Sequence, residues 1–335
     1  MTVMTDNQAN QAGEREAVPL PSGDRTADAA EATDAVAPTR TVRTPDTAKA
    51  GRRGSARPYA VGGALLTVSV LLLGICAQLV LFSPLQHRAA QTAGFDRLRG
   101  ELAAGTVAVS QSDQSGRLLT PGTPLMLLEI PKLRVREVVF EGTSSDVLAK
   151  GPGHRRDTLL PGQAGTSVIM GRAAAYGGPF GHLADLTPGT AFRITTGQGR
   201  FTFRVLDLRY AGDRAPAAPV AGKGRVVLMT ATGPPYLPKG VLRLDADLVG
   251  RATDTPALRI APDSLPSAEL PLRGGAVVWW ALVLWLQALA AVSVAAVWSW
   301  FRWGRRQTWI VFTGLLGGIG LQLAEQITRL LPNLL

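Results

Sequence analysis

Three long apolar runs mark this chain, and between the first and second the rhythm changes to short β-branched segments cut by Gly and Pro. Tyr59 to Phe82 is broken only by Thr67, Ser69 and Gln78 among polar side chains. That is enough for the ~20 residues of a bilayer crossing and predicts a membrane helix over 58–83. Ala276 to Trp300 predicts a second over 275–301, with Trp279, Trp280, Trp298 and Trp300 in interfacial-belt positions. The third run is clean from Trp309 to Ala324 and then meets Glu325, Gln326 and Arg329. It predicts a crossing over 308–331 that emerges with Glu325 and Arg329 paired one turn apart, a re-entrant or interfacial helix being the alternative.

The middle of the chain has strand periodicity. Leu125–Ile130, Leu133–Phe140, Ser167–Gly171, Ala191–Thr195, Arg200–Tyr210, Arg225–Thr230 and Val241–Leu248 are short β-rich runs between Gly and Pro turns. Thr196-Gly197-Gln198-Gly199 is a tight-turn candidate joining two of them. Many short strands at these spacings predict a compact all-β barrel or sandwich over 121–250. Residues 84–120, with Phe95, Leu98 and Leu102 at loosely helical spacing, read as a juxtamembrane stalk, and the Pro- and Ala-rich stretch 251–274 as an extended linker. Residues 1–57 lack apolar periodicity and read as a disordered tail, because they cannot bury enough surface to offset the entropy of ordering.

Charge orients these elements. Arg52, Arg53 and Arg57 precede the first apolar run, and Arg302, Arg305 and Arg306 fall in the turn 302–307 between the other two. The positive-inside rule puts the N-terminus and that turn in the cytoplasm and the β domain outside, giving a multi-pass protein of the plasma membrane. The net charge of +10 suits anionic headgroups or wall polymers. Nucleic acid is not the expected partner, since the basic residues are dispersed and lack an aromatic stacking platform. Cys76 is the only cysteine, which excludes a disulfide within the chain and reads as a small hydrophobe facing lipid or a neighbouring helix. The scattered His87, His154 and His182, without a spare thiol, define no metal site, and no cofactor motif is present. Gly314 and Gly318 form a small-xxx-small pair, and Gln78, Gln287 and Gln322 place one amide in each apolar run, a pattern suited to close helix packing with cross-helix bonds. No ionisable residue sits near mid-membrane, which argues against ion conduction or transport.

Several motifs of the β region follow one another in a familiar order. Gly151-Pro152-Gly153-His154, Leu160-Pro161-Gly162-Gln163-Ala164-Gly165-Thr166-Ser167-Val168-Ile169, Gly171 with Ala175-Tyr176-Gly177-Gly178-Pro179-Phe180, Leu186-Thr187-Pro188-Gly189 and Val226 to Gly233 together resemble the core of class E sortases of high-GC Gram-positive bacteria. The resemblance implies an eight-stranded barrel and transpeptidation. In that chemistry a strand-end cysteine attacks the Thr–Gly amide of a C-terminal sorting signal, a histidine serves as acid or base, and an arginine steadies the oxyanion or the substrate. A thiolate is needed because the nucleophile must attack an unactivated amide.

At the positions this resemblance assigns, the chain departs from the pattern. The strand-end signature Thr-Leu-x-Thr-Cys is replaced by Val-Leu-Met-Thr followed by Ala231, and Arg172 stands where the histidine belongs. Arg243, or Lys239, is the substitute for the arginine. His154 falls in a stretch that is structural in the family and reads as loop packing, His182 as packing or capping a short helix. Thr230 and Thr232 flank Ala231, but neighbours on a strand face opposite ways, and Arg172 stays protonated and cannot act as their base. The expectation is a pseudo-sortase: a cell-envelope binding or scaffold module inactive as a cysteine transpeptidase. Its cleft candidates are Arg172, Tyr176, Thr230, Thr232 and Arg243, its ligand a peptide or an anionic wall component, and its second and third helices a surface for a membrane-protein partner. The rival readings are an active sortase or acyl-transferase acting on sorting-signal proteins, and a structural component whose helices carry the interaction.

Overall fold

The structure, a computed structural model, describes residues 57–261, 263–275 and 279–335. The tail expected up to residue 57 therefore lies outside the described residues except for Arg57, as do 276–278 at the start of the second apolar run.

The first apolar run forms α1 (Arg57–Ala77), passes through a π-helical turn at Gln78–Phe82 and continues as α2 (Ser83–Ala104). Pro84 explains the turn: it has no N–H to donate to the carbonyl one turn back, and the Ser83 amide reaches instead to the Gln78 carbonyl. The stretch read as a stalk is thus helical as far as Ala104, and it is docked on the β domain. Gln91 donates to the carbonyls of Val138 and Lys150 at 3.1 and 3.0 Å and accepts from the Val138 amide at 2.7 Å. Gly94 lies so close to Phe140 that a Cβ there would come within 2.7 Å of the ring. Gly105, at φ +68°, ends the helix in the left-handed conformation that glycine adopts without strain.

The β region closes into a barrel of β1 (Pro124–Ile130), β2 (Val135–Glu141), β3 (Gly153–His154), β4 (Gly165–Met170), β5 (Ala191–Thr196), β6 (Gly199–Arg209), β7 (Gly224–Thr232) and β8 (Gly240–Leu248), with a one-turn helix α3 (Ser145–Leu148) between β2 and β3. The order around the barrel is β1-β2-β3-β4-β7-β8-β6-β5, and β5 returns to β1. The expected turn at Thr196 to Gly199 joins β5 and β6, with the Gln198 amide bonded to the Thr196 hydroxyl. Leu128, Ile130, Ile169, Ile194, Phe192, Phe203, Val226, Leu228 and Leu244 fill the interior, where Phe192 and Phe203 stack at 5.8 Å. β7 is buried on its other face too: Val227, Met229 and Ala231 pack with Val168, Met170, Leu148 and Val241. Burial on both faces explains why this strand is a continuous apolar run and not an alternating one.

The described residues of 251–274, read from sequence as an extended linker, are irregular apart from a 3-10 turn at Ser267–Glu269 and are fastened along the barrel. The Thr253 amide donates to the Gly162 carbonyl, Gln111 accepts from the amides of Arg259 and Ile260, and Arg156 forks onto the Glu269 carboxylate. Beyond this strap come α4 (Trp279–Arg302) and α5 (Arg305–Leu330). The apolar helices, 61–104, 279–302 and 305–330, are each long enough to cross a membrane. Glu325 and Arg329 are paired at 2.8 Å, one turn apart.

The packing expected of Gly314 and Gly318 does not occur, since a Cβ at either would meet nothing within 4 Å. The close approaches are made by Gly74 and Gly320, where an added Cβ would come within 2.9 Å of the Gly320 carbonyl and 2.8 Å of Val70 respectively, and by Gly63 against Val294. The expected amide bonds across helices are also absent among the described residues: Gln287 and Gln322 face outward, and Gln78 is buried with its Nε2 unpartnered. Spacing alone identifies a face of a helix, not the neighbour that face meets.

Candidate functional site

The ends of β4 and β7 build the site. The two strands run parallel with Met170 opposite Met229, so the next residues on each carry Arg172 alongside Ala231. Gly171 makes this approach feasible. Its amide donates to the Met229 carbonyl at 2.9 Å, and a Cβ there would lie 2.5 Å from the ring of the fully buried Phe180.

Arg172 is buried, at 1% exposure. Its Nη2 donates to the Ser145 carbonyl at 3.0 Å and to the Ser145 hydroxyl at 2.8 Å, and Nη1 donates to the Leu335 carbonyl at 3.4 Å. The guanidinium stands 4.8 Å from the centroid of the Tyr176 ring, while Nε is buried without a partner. Burial pushes the guanidinium pKa down to about 10, outweighing the opposing pull of Tyr176 and Asp146. It remains a cation at neutral pH and so cannot accept a proton. Tyr176 holds a positive φ of 52°, uncommon for a bulky residue, and its amide donates to the Ser83 hydroxyl at 3.3 Å, which ties this wall to the start of α2.

Ala231 is 9% exposed and belongs to the apolar cluster of Leu148, Met170, Met229, Val241 and Leu334. Arg243 is the cross-strand partner of Met229, two pairs down from Ala231 and Val241, and so projects on the same face as Ala231. Thr230 alternates to the side of Leu228 and the barrel interior, where its hydroxyl is buried and unpartnered. Thr232, at the last position of β7, accepts the Lys239 amide on its carbonyl at 2.7 Å. Of the cleft candidates, Arg172 and Tyr176 meet beside Ala231, Arg243 lies on the Ala231 face of the β7–β8 ladder, and Thr230 turns away.

Sequence reasoning missed Ser145 and the segment Asn333 to Leu335. Leu334 is fully buried against the Ala231 cluster, and its carbonyl accepts the Ala173 amide at 2.8 Å. These contacts join positions far apart in the chain and leave no local pattern to read.

The histidines lie elsewhere. His154 is buried with Nδ1 2.9 Å from Glu141 and Nε2 2.9 Å from the Leu159 carbonyl. Burial is the largest single influence and opposes its protonation, but Glu141, the Leu159 carbonyl and Asp157 together outweigh it and raise the pKa above 6.5. His87 meets Glu137, and the exposed His182 meets Asp185. Among the described residues no group of His, Cys, Asp and Glu side chains is arranged to hold a metal. The site therefore combines an apolar cluster, a buried cation and backbone hydrogen-bonding groups, a set suited to holding a peptide backbone and one apolar side chain.

Comparison with known proteins agrees with this architecture. Residues 128–244 match the sortase domain family. Sortase D of Bacillus subtilis (strain 168) is 32% identical over 80 residues, which are 24% of this chain and 39% of that protein, so the chain spans about two fifths of that relative's length. Among solved structures, a Clostridium perfringens sortase D5 transpeptidase is 19% identical with a TM-score of 0.41, covering 48% of this chain and 99% of its own. Sortase C-1 of Actinomyces oris is 26% identical with a TM-score of 0.35, covering 38% of this chain and 75% of its own. The stretch 128–244 lies within the closed barrel of eight strands, a barrel typical of the sortase fold, and the described residues add three long apolar helices.

Proposed function

We propose that this chain is a membrane-anchored, class E-like sortase-fold protein of the cell envelope that has lost cysteine transpeptidase chemistry and serves as a peptide-binding module. The observation that carries the reading is the pair Ala231 and Arg172 at the adjoining ends of β7 and β4, where the resemblance assigns the cysteine and the histidine. A methyl group cannot form the acyl intermediate, and a guanidinium that stays protonated cannot relay a proton. Loss of one member of such a unit costs ~10³–10⁶ in rate, and loss of the nucleophile abolishes that route. Thr230, directed into the barrel, is no substitute.

The topology in this reading has the N-terminus and the Arg302 to Arg306 turn in the cytoplasm and the barrel outside. Arg302 and Arg305 lie over Trp298 and Trp300 at 5.4 and 5.2 Å, an arrangement suited to a headgroup-level belt at the cytoplasmic end of α4. The buried Arg172, already bonded to carbonyl and hydroxyl oxygens, favours a peptide ligand over a bulky anionic polymer. The test is to incubate the detergent-solubilised full chain with a sorting-signal peptide and an amine acceptor, following the peptide by mass spectrometry. Intact peptide is expected. Cleavage that persists in a Thr230→Ala, Thr232→Ala variant would overturn the reading.

A further inference from the structure

Residues 332–335 lie in the cleft in the manner of a bound peptide. α5 gives way to an extended Leu331 (φ −62°, ψ 144°), and the chain then runs past the ends of β4 and β7. The Asn333 amide donates to the Arg273 carbonyl at 2.8 Å, and its Nδ2 donates to the carbonyls of Thr143 at 2.9 Å and Leu270 at 3.0 Å. The Leu334 carbonyl accepts from the Ala173 amide, the Leu335 carbonyl from Arg172, and the Leu334 side chain is buried in the apolar cluster that holds Ala231. A backbone bond just past one strand end, an apolar cluster that takes one side chain and an amide read by two carbonyls are the means by which a groove recognises an extended peptide.

We infer that this wall of the barrel is a binding groove for an extended Asn-Leu-type peptide, and that residues 332–335 are its resident intramolecular ligand, which an external peptide must displace. The inference rests on the binding-module reading above. The polar fit of the resident segment is incomplete: Arg172 Nε and Asn333 Oδ1 are both buried and unpartnered. A ligand that satisfied these groups would have an advantage over the resident segment, because buried polar atoms without partners are costly. Tethering opposes exchange, since a segment held by α5 competes at an effective concentration on the order of millimolar. Occupancy of the groove is thereby linked to α5, so a partner that moves this helix would change access to the barrel.

The experiment uses the full chain in detergent and a fluorescent Leu-Pro-Asn-Leu-Leu peptide as probe. An Asn333→Ala, Leu334→Gly variant, which weakens the resident segment, is expected to bind the probe at least about tenfold more tightly than the unaltered chain. Adding Ala231→Trp, which crowds this apolar cluster, should abolish that gain. Folding is checked independently by thiol labelling in a Cys76→Ser background: a cysteine placed by Ala231→Cys should react at least about tenfold faster when the segment is weakened. Equal affinities or equal labelling rates with and without the segment substitutions would overturn the inference. Tighter binding accompanied by cleavage of the probe would support the groove and overturn the inactive reading instead.

Discussion

Replacing Arg172 with Met separates the cost of a buried charge from the value of its hydrogen bonds. The fall in pKa from the ordinary guanidinium value to about 10 corresponds to about 3 kcal/mol of disfavour toward the charged form, at ~1.36 kcal/mol per pKa unit. Met has similar length and no charge, so the substitution removes that penalty. Against it stands the loss of bonds to the Ser145 carbonyl, the Ser145 hydroxyl and the Leu335 carbonyl, where each stranded acceptor costs ~1–3 kcal/mol. Taken at the lower end of that range, about 3 kcal/mol for the three acceptors together, the terms largely offset, and Arg172→Met is expected to change stability by less than about 2 kcal/mol. Arg172→Ala leaves a cavity as well and should lose about 2–5 kcal/mol. Because the folded-state pKa lies below the unfolded one, the folded chain binds fewer protons between about pH 10 and the ordinary guanidinium range above it. The penalty is full below pH 10 and is relieved as pH rises through that window, so any advantage of Met must shrink there. Hydrogen exchange of β7 peptides in the detergent-solubilised chain reads these differences. A Met variant as unstable as the Ala variant would refute the reasoning.

Three other outcomes follow from particular contacts. Glu141→Gln leaves His154 with half of a buried pair and should cost about 3–5 kcal/mol. Because the His154 pKa is raised above 6.5, the pair's stabilisation is complete below that pH and is lost as pH rises through the raised value, and melting temperatures across pH 5–9 should show this slope flattened in the variant. Gly320→Leu, at the contact with α1, should disrupt helix packing as read by thermal aggregation in detergent, whereas Gly314→Leu, with open space around it, should not. Glu269→Gln removes the carboxylate clamped by Arg156 and should speed proteolytic nicking within 251–274 while leaving exchange of the barrel strands unchanged.

Much of the barrel was legible because alternation and turn chemistry are local. The Thr196 to Gly199 turn and the runs at β1, β5, β6, β7 and β8 carry their own signals. β3 did not, since Gly153 and His154 are too short a strand to show any period. Residues 84–120 and 251–274 gave composition but not their attachments, which depend on Gln91, Gln111 and Glu269 meeting distant carbonyls, amides and Arg156. In the cleft, the resemblance supplied Ala231 and Arg172 as a pair, and the parallel β4–β7 register supplies the geometry. The contribution of residues 333–335 was illegible for a simpler reason: a short polar-apolar stretch after a helix has no periodicity, and its meaning lies entirely in where α5 delivers it.

The proposed function requires that this barrel form no covalent intermediate with a peptide. Intact-mass measurement of the full chain after prolonged incubation with a sorting-signal peptide tests it most directly. The account predicts the unmodified mass at all times, with or without an amine acceptor. A mass increment equal to the acyl part of the peptide, on any residue, would contradict it.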